Sequence, residues 1–306
     1  MYSLCCISND LKKRGISFKK MTWSHFQKNL SKNGEADTLQ ELGNRWLNNV
    51  QTTSDTIRYC TQNSWGYRVS SSIFSLLTHP DFSYTIQDAP QYPEILDLFS
   101  GIRTTNQSPR QNYGRLTRLS THPDQFNVLA SLNQDAVKKT IIELNHHGWL
   151  MDMLGCERNY SNPINIHVNC SAGTHSEIAA RFIKNLEKCD KSVTSRLVIE
   201  NEDKGMWNVD ALLLFFYSEY GIPITFDNLH DKCNPSELED CIEKCAETWG
   251  QFKPLFHYSE SHPDYIKTNP RKHADLPSQR PPGCSIEVDW EVELKSKDEA
   301  IRKLQC

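Results

Sequence analysis

Eight short segments rich in apolar residues recur along the chain, and most are separated by stretches with helical periodicity. These segments cover residues 2–8, 67–71, 116–120, 165–169, 196–200, 222–227, 254–257 and 285–293. Buried strands that alternate with helices pair in parallel, and eight such units close into a barrel. The pattern therefore predicts an α/β fold, a single (β/α)8 TIM barrel formed by residues 1–306. A doubly wound open sheet is the alternative, but no glycine-rich turn follows the first segment.

Capping signals and apolar spacing locate several of the connecting helices. The spacing predicts helices over residues 92–99, 134–154, 211–220 and 297–304. A capping box formed by Thr174 and Glu177 predicts the start of another helix. Asn234, followed by a proline, predicts one more helix, with Leu238 on its buried face.

The composition limits the function classes without selecting one. With 306 residues, of which 38% are hydrophobic, the chain can bury a large core. Its 11 scattered cysteines contain no CxxC pair, which favours a reducing compartment over a disulfide framework or a zinc ribbon. We expect neither a membrane span nor a secretory signal. A net charge of −4 does not by itself indicate nucleic-acid binding, although bound divalent cations would reverse the local sign in a cleft.

Polar or ionisable side chains stand at the carboxyl ends of most of the predicted strands. These residues are Ser70, Ser71, His122, His167, Glu200, Asp227, His257 and Glu293. In a barrel these strand ends converge on one mouth, which is where active sites are built. Imidazole and carboxylate groups bind Zn²⁺, Mn²⁺ and Fe²⁺, and cations would offset the repulsion between the three acidic residues. The sequence therefore predicts a cluster of metal ions at the mouth.

Each of these residues also has a simpler interpretation when taken alone. His167 fits a hydrogen-bonded core histidine, and Asp227 fits the turn that follows a strand. His230, three residues after Asp227, fits a solvated loop position as well as the barrel mouth. The pair His146 and His147 lies on a predicted helix and is interpreted as structural. Only the joint pattern favours a metal centre.

Seven motifs in the chain resemble those of the ultraviolet-damage endonuclease family of DNA-repair enzymes. They are YRVSS from Tyr67, RLSTHPDQFNVLAS from Arg118, NIHV from Asn165, RLVIEN from Arg196, TFDNLH from Thr225, HYSE from His257 and EVELKSKDEA from Glu291. They follow the family's order from about residue 60 to the C-terminus. The resemblance implies a TIM barrel related to apurinic endonucleases and sugar isomerases. It also implies two or three divalent ions, most often Mn²⁺, with Zn²⁺, Mg²⁺ and Co²⁺ as alternatives.

The resemblance also assigns metal ligands. They fall on His79, His122, His167, Glu200, Asp227, His230, His257, His273 and Glu293. It implies that Glu200 bridges two ions, with His122 and His167 on one side. Asp227, His257 and Glu293 would then hold a second ion, and His230 with His273 a third. Glu200, His167 and Asp227 are the expected catalytic residues.

The activity implied is hydrolysis of damaged double-stranded DNA immediately 5′ of the lesion, which leaves a 3′-hydroxyl. The expected lesions are cyclobutane pyrimidine dimers, 6-4 photoproducts and abasic sites. Gln125 and Phe126 match the pair that wedges into the duplex, although Phe126 also fits a core aromatic. The residues expected to contact phosphates are Arg68, Arg118, Lys267, Arg271 and Lys272, of which the last three also fit a solvated charged loop. The implied location is the cytoplasm, in association with the nucleoid, or the nucleus.

Two positions depart from the family pattern. Leu255 stands where the family often carries a lysine that can be modified to serve the metal site. Ser3 and Leu4 stand where its first strand usually carries a Gly-Tyr pair. These departures leave open a lesion-binding protein with impaired catalysis. A metal-dependent sugar isomerase or epimerase on the same barrel is a second alternative.

Overall fold

The structure, a computed structural model, describes residues 1–107, 117–124 and 126–306. Its strands in chain order are β1 (Tyr2–Cys5), β2 (Gly66–Val69), β3 (Leu119–Thr121), β4 (Ile164–Ile166), β5 (Leu197–Glu200), β6 (Ile224–Thr225), β7 (Leu255–Tyr258) and β8 (Asp289–Val292). They form one sheet in the order β6-β5-β4-β3-β2-β1-β8-β7, and every strand pair is parallel.

A bridge between Asp227 and His257 joins the two ends of the sheet. There the backbone N–H of His257 donates to the carbonyl oxygen of Phe226 at 2.9 Å. The sheet is therefore an eight-stranded, nearly closed barrel, and the predicted (β/α)8 fold is confirmed.

Helices surround the barrel and cover the outward-facing side chains of the strands. Within the described ranges they are α1 (Asn9–Lys13), α2 (Trp23–Asn33), α3 (Glu35–Gln62), α4 (Tyr92–Gln107), α5 (Gln134–Met153), α6 (His175–Leu186), α7 (Lys191–Thr194), α8 (Val209–Leu212), α9 (Ser218–Tyr220), α10 (Asn228–Cys233), α11 (Cys241–Glu247) and α12 (Asp298–Gln305). A π-helical segment, Leu213–Tyr217, joins α8 to α9. None of the described helices is long and apolar enough to cross a membrane.

The predicted capping box at the start of α6 is present. The Thr174 hydroxyl accepts the N–H of Glu177 at 3.3 Å, and the Glu177 carboxylate accepts the N–H of Thr174 at 2.8 Å. These two bonds satisfy backbone donors that a helix leaves unpaired at its N-terminus.

The structure corrects the predicted bounds of several elements, including the first strand, the last strand and the helix after Asn234. The first strand ends at Cys5 rather than at residue 8, because the chain turns at Cys6 (φ 64°) and Ser8 caps α1. The last strand is shorter than residues 285–293 and covers only Asp289–Val292. The helix expected from Asn234 begins at Cys241 instead.

Asp210 accounts for the late start of α11. Its carboxylate accepts the hydroxyl of Ser236, and it accepts the N–H of Glu237 at 2.7 Å. These contacts hold the segment after the proline in a non-helical conformation. Leu238 is consequently 41% exposed instead of buried.

Alternation along the strands places the inward-facing side chains in layers. The layer nearest the carboxyl ends of the strands contains His122, His167, Glu200, Asp227, His257 and Glu293. The layer below it contains residues two positions earlier, among them Arg68, Ser120, Asn165 and Glu291. The upper layer is polar and the layer below it is mixed, because Val198 and Leu255 are apolar; the polar members of the two layers form a buried network of hydrogen bonds and ion pairs.

Candidate metal centre and nucleic-acid interface

Glu200 is the centre of the polar mouth. It ends β5 and is 1% exposed. Its Oε2 lies 3.0 Å from His122 Nε2, 3.0 Å from His257 Nδ1 and 3.7 Å from His167 Nε2. Its Oε1 lies 3.1 Å from His230 Nδ1. One buried carboxylate is therefore surrounded by four imidazoles from β3, β4, β7 and α10.

These residues form two triads that share Glu200. One triad is His122, Glu200 and His257, and the other is His167, Glu200 and His230. Within each triad the possible ligand atoms lie within 4.8 Å of one another. A carboxylate has two oxygens, so Glu200 can face a cation on each side.

The backbone orients two of the imidazoles. His122 Nδ1 lies 2.7 Å from the carbonyl oxygen of Pro123, and His230 Nδ1 lies 2.9 Å from that of Asn201. A carbonyl can only accept, so in both rings Nδ1 carries a hydrogen; in the neutral His122 ring this leaves the lone pair on Nε2, the atom that faces Glu200. This arrangement is typical of metal-binding histidines, whose second nitrogen donates to a neighbouring acceptor.

The buried polar atoms of the mouth fit a divalent cation. Asp227 Oδ1 accepts the N–H groups of Leu229 and His230, both at 2.7 Å, but its buried Oδ2 has no hydrogen-bond partner among the described residues. His257 Nδ1 also has no hydrogen bond there, because its contact with Glu200 is close but poorly aligned. Orphaned buried atoms are costly, and here they are nitrogen and oxygen donors of the kind that Mn²⁺ and Zn²⁺ bind.

The charges of the mouth also fit a divalent cation. Burial raises the pKa of Asp227, and the nearby charge of Glu200 adds to the rise while His230 opposes it. Burial also disfavours ionisation of Glu200, but His257 and His167 hold the pKa of its carboxyl well below the usual range. Burial lowers the pKa of His167 to about 4, so the ring is neutral at pH 7 and its lone pair is available. Cations would stabilise neighbouring carboxylates in this buried site.

Arg68 is buried in the second layer and does not reach the surface. It donates through Nε to Glu291 and through Nη1 to Glu293 at 2.5 Å, and its Nη2 lies 2.9 Å from His257 Nε2. Burial disfavours ionisation of Glu291, but Arg68 and His257 lower the pKa of its carboxyl to about 2. The structure therefore corrects the expected phosphate contact of Arg68: its guanidinium forms ion pairs with Glu291 and Glu293 inside the barrel.

Arg118 lies at the opposite end of the barrel from the mouth. It donates to Asp289, the first residue of β8, at 3.1 Å and to the carbonyl oxygens of Ser161 and Lys253 at 2.9 and 2.8 Å. Lys253 and the N-terminal ammonium also bind Asp289. This network fixes the bottom of the barrel, and it excludes the phosphate contact that we expected from Arg118.

Four of the expected metal ligands lie outside the triads: His79, Asp227, His273 and Glu293. His79 stacks on Trp23 of α2, with ring centroids 4.8 Å apart. His273 Nδ1 lies 3.0 Å from the carbonyl oxygen of Glu293, which places the ring at the rim of the mouth. His230 forms a triad with His167 and Glu200, because the first turn of α10 directs its ring towards Glu200.

The segments expected to meet DNA border the same end of the barrel. Phe126 follows β3 and is 78% exposed, which excludes its interpretation as a core aromatic. Gln125 lies outside the described residues. Lys267 is exposed, Arg271 pairs with Asp203 at 2.9 Å, and Lys272 Nζ lies 3.1 Å from the ring centre of Tyr265. Their loop reaches the mouth through His273.

Sequence reasoning missed Glu291, Ser120 and Asn165 as members of the site. Asn165 donates to Glu200 Oε2, and Ser120 donates to Glu291. A signal was present, because each residue stands two positions before a candidate ligand and so shares its face of the strand. Leu255, at the position expected to carry a lysine, is buried and apolar.

Comparisons with known proteins identify the family of the chain. The sequence model of the family described as "UV-endonuclease UvdE" matches residues 2–306. The UV DNA damage endonuclease of Bacillus velezensis is 28% identical over 301 residues, which cover 94% of this chain and 87% of that protein. The UV-damage endonuclease of Neurospora crassa is 28% identical over 286 residues, covering 86% of this chain and 42% of that protein.

Solved structures show the same architecture. The crystal structure of SacUVDE superposes with a TM-score of 0.76 at 26% identity, covering 99% of this chain and 96% of that one. Endonuclease IV from Thermus thermophilus shares the fold, with a TM-score of 0.53 at 14% identity over 83% of this chain and 93% of that one. The fold and the mouth thus define a TIM-barrel protein with a histidine- and carboxylate-rich centre. The chain belongs to the UV-endonuclease UvdE family, and this membership supports a DNA-repair endonuclease for UV damage.

Proposed function

We propose that this protein, acting as a single TIM-barrel domain, nicks duplex DNA immediately 5′ of UV photoproducts and leaves a 3′-hydroxyl. Cyclobutane pyrimidine dimers and 6-4 photoproducts are the proposed lesions, and abasic sites are a further substrate. The observation that carries the proposal is the position of Glu200, which is shared by two ligand triads at the mouth of a UvdE-family barrel. The proposed place of action is the cytoplasm, beside the nucleoid, or the nucleus.

The two triads are the proposed sites of two divalent ions, with Mn²⁺ as the first choice and Zn²⁺, Mg²⁺ and Co²⁺ as alternatives. His122, Glu200 and His257 would hold one ion, and His167, Glu200 and His230 the other. Such ions lower the pKa of bound water and neutralise charge on a phosphate. Asp227 Oδ2 is buried at the mouth without a partner among the described residues and is the proposed third acidic group of the centre. Glu293 and His273 complete its rim.

Within the chain, Glu200, His167 and Asp227 are the proposed catalytic residues. Glu200 joins the two triads, because its Oε2 lies near His122, His257 and His167 while its Oε1 lies near His230. Asn165 donates to Oε2 of Glu200 and so limits rotation of the carboxylate. Asp227 is fixed by two backbone N–H groups, which direct its second oxygen into the mouth. These side chains are therefore held in place before a substrate arrives.

The exposed rim is the proposed DNA interface. Photoproducts stack and pair poorly, so opening the duplex at a lesion costs less than opening an intact step. Phe126 offers an exposed ring for stacking, and Gln125 is proposed to act beside it. Lys267, Arg271 and Lys272 are the proposed phosphate contacts, because their loop ends at His273 beside Glu293.

The test is a nicking assay on an end-labelled duplex that carries one defined cyclobutane dimer. Metal-free protein is assayed with Mn²⁺, with excess EDTA, and after EDTA treatment followed by fresh Mn²⁺. We expect one Mn²⁺-dependent cut directly 5′ of the dimer, and none in the undamaged duplex. Lesion binding with no cut in the presence of any divalent metal would reject the proposal and favour a binding protein.

A further inference from the structure

Glu291 lies one layer below the metal triads and is 1% exposed. It belongs to β8, which lies beside β7 in the sheet, and its register partner on β7 is His257. Its carboxylate accepts Nε–H of Arg68 and the hydroxyl of Ser120, and its Oε2 lies 3.1 Å from His257 Nε2. All of these partners are buried, so Glu291 is fixed on three sides.

The ring of His257 meets two neighbours that favour opposite tautomers. Its Nε2 lies 3.1 Å from the Glu291 carboxylate and 2.9 Å from Arg68 Nη2. A guanidinium can only donate and a carboxylate can only accept, so Arg68 favours a lone pair on Nε2 and Glu291 favours a hydrogen there. Only the second arrangement leaves a lone pair on Nδ1. That nitrogen is the atom that faces Glu200 Oε2, at 3.0 Å.

We propose that Glu291 is a positioning residue: it accepts the Nε2–H hydrogen of His257 and thereby presents Nδ1 to a divalent cation shared with His122 and Glu200. A histidine that binds a metal through one nitrogen and donates to a carboxylate through the other is a recurrent arrangement. The inference rests on the proposed function only in requiring a metal centre at the mouth.

Arg68 and Ser120 give Glu291 its orientation. Ser120 donates to Oε1 and Arg68 donates to Oε2, so the carboxylate is held with Oε2 towards His257. Arg68 is itself anchored by Glu293 at 2.5 Å, which restricts movement of the guanidinium. The result is a chain of contacts from β2 and β3, through β8, to a ligand on β7.

The first test compares two variants of β8. Glu291→Met keeps the side-chain length and removes the acceptor, while Arg68 retains Glu293 as its partner. Asp289→Asn is the matched control, because Asp289 is a buried, ion-paired carboxylate on the same strand but at the opposite end of the barrel. Mn²⁺ is titrated into each metal-free protein by calorimetry, after circular dichroism has shown that the variant is folded.

We expect Glu291→Met to raise the Kd of one of the two Mn²⁺ sites, the one formed by His122, Glu200 and His257, about 10- to 100-fold, as is typical for loss of an outer-sphere partner. Asp289→Asn should lower the melting temperature and leave the Mn²⁺ affinity within about twofold, since it touches neither triad. Ser120→Ala keeps the charge of Glu291 and removes one of its donors, so a smaller loss of affinity is expected. Equal affinities of the folded Glu291→Met and Asp289→Asn proteins would overturn the inference.

The second test needs no variant of Glu291. Long-range ¹H–¹⁵N spectra of the ¹⁵N-histidine-labelled protein loaded with Zn²⁺ report which nitrogen of each ring carries hydrogen, and His257→Ala assigns the signal. We expect His257 to carry hydrogen on Nε2 and metal on Nδ1, and the opposite arrangement would overturn the inference. Neither test measures DNA cleavage, so a protein that binds metal as described but never nicks DNA would reject the proposed function alone.

Discussion

Mn²⁺ should raise the melting temperature of the metal-free protein, and Glu200→Gln should abolish that rise. The structure gives Glu200 to both triads, whereas each histidine belongs to only one. A ligand that binds only the folded state stabilises it, so the rise in melting temperature increases with the number of ions that bind. Loss of the shared carboxylate should therefore affect both ions, and loss of one histidine only one.

The magnitude follows from the length of the chain. At a free Mn²⁺ concentration of about 100 times Kd, one ion stabilises the folded state by about 2.7 kcal/mol. An unfolding entropy of about 2.1 cal/mol/K per residue gives about 0.6 kcal/mol/K for 306 residues. One ion should then raise Tm by about 4 °C and two ions by about 8 °C. We expect about 8 °C for the wild type, about 4 °C for His230→Ala and a negligible rise for Glu200→Gln.

Differential scanning calorimetry with and without Mn²⁺ measures these shifts. Glu143→Gln is the matched control, because Glu143 Oε1 also lies close to an imidazole, at 3.4 Å from His147 Nε2, but on the outer helix α5. This variant should keep the full rise. An undiminished rise in Glu200→Gln, or equal losses in Glu200→Gln and His230→Ala, would refute the reasoning that one carboxylate serves both sites.

Three further predictions concern residues outside the triads. Burial raises the pKa of Glu202 from 4.5 to about 7. The unfolded chain therefore loses this proton at lower pH than the folded protein, and the wild type loses stability as the pH rises from about 4.5 to about 7. Calorimetry with EDTA should show that Glu202→Gln lacks this loss, so that its stability relative to the wild type rises by at most about 3 kcal/mol over that range. Phe126→Ala should weaken binding to a dimer-containing duplex about 5- to 160-fold in fluorescence anisotropy, since stacking contributes about 1–3 kcal/mol per base, whereas Ile142→Ala, also exposed, should not. Arg118→Met should lower the stability by about 3–5 kcal/mol in urea denaturation and leave the DNA affinity unchanged, because its partners lie at the bottom of the barrel. The Glu202 assignment would be contradicted if the stability difference between Glu202→Gln and the wild type did not change with pH. Full lesion affinity in Phe126→Ala would contradict the stacking role, and weakened DNA binding in Arg118→Met would contradict its place at the bottom of the barrel.

The strand pattern and the first layer of the site were predictable because both depend on local sequence. Short apolar segments that end in His122, His167, Glu200 or His257 indicate the strand and its carboxyl end together. The parallel order of a barrel then brings residues far apart in the chain to the same mouth. The convergence of four imidazoles on Glu200 agrees with this reasoning.

The contacts of the second layer could not be predicted from local sequence. Arg68 and Glu291 are 223 positions apart in the chain. They meet inside the barrel because their strands, β2 and β8, are both neighbours of β1 in the sheet. A basic residue in a YRVSS strand is as compatible with a phosphate contact as with a buried ion pair, so sequence alone does not decide between them. Arg118 differs in its position along the strand. It stands before β3 rather than after it, so its side chain lies at the end of the barrel opposite the mouth.

The start of α11 shows a different limit. Asn234 and the proline after it are typical of a helix start, but Asp210 binds the hydroxyl of Ser236 and the N–H of Glu237. These tertiary contacts compete with local capping. Local propensity predicts a helix in this region but not its first residue.

Single-turnover cleavage by Glu200→Gln tests the central claim most directly. Wild type, Glu200→Gln and the control Glu143→Gln are each mixed in excess with an end-labelled duplex carrying one cyclobutane dimer, in Mn²⁺, and binding is measured in parallel with EDTA present. We predict that all three proteins bind the lesion with similar Kd in EDTA, and that wild type and Glu143→Gln cut it directly 5′ of the dimer. Glu200→Gln should bind without cutting. Cleavage by Glu200→Gln at the wild-type rate would contradict an active site built around this carboxylate.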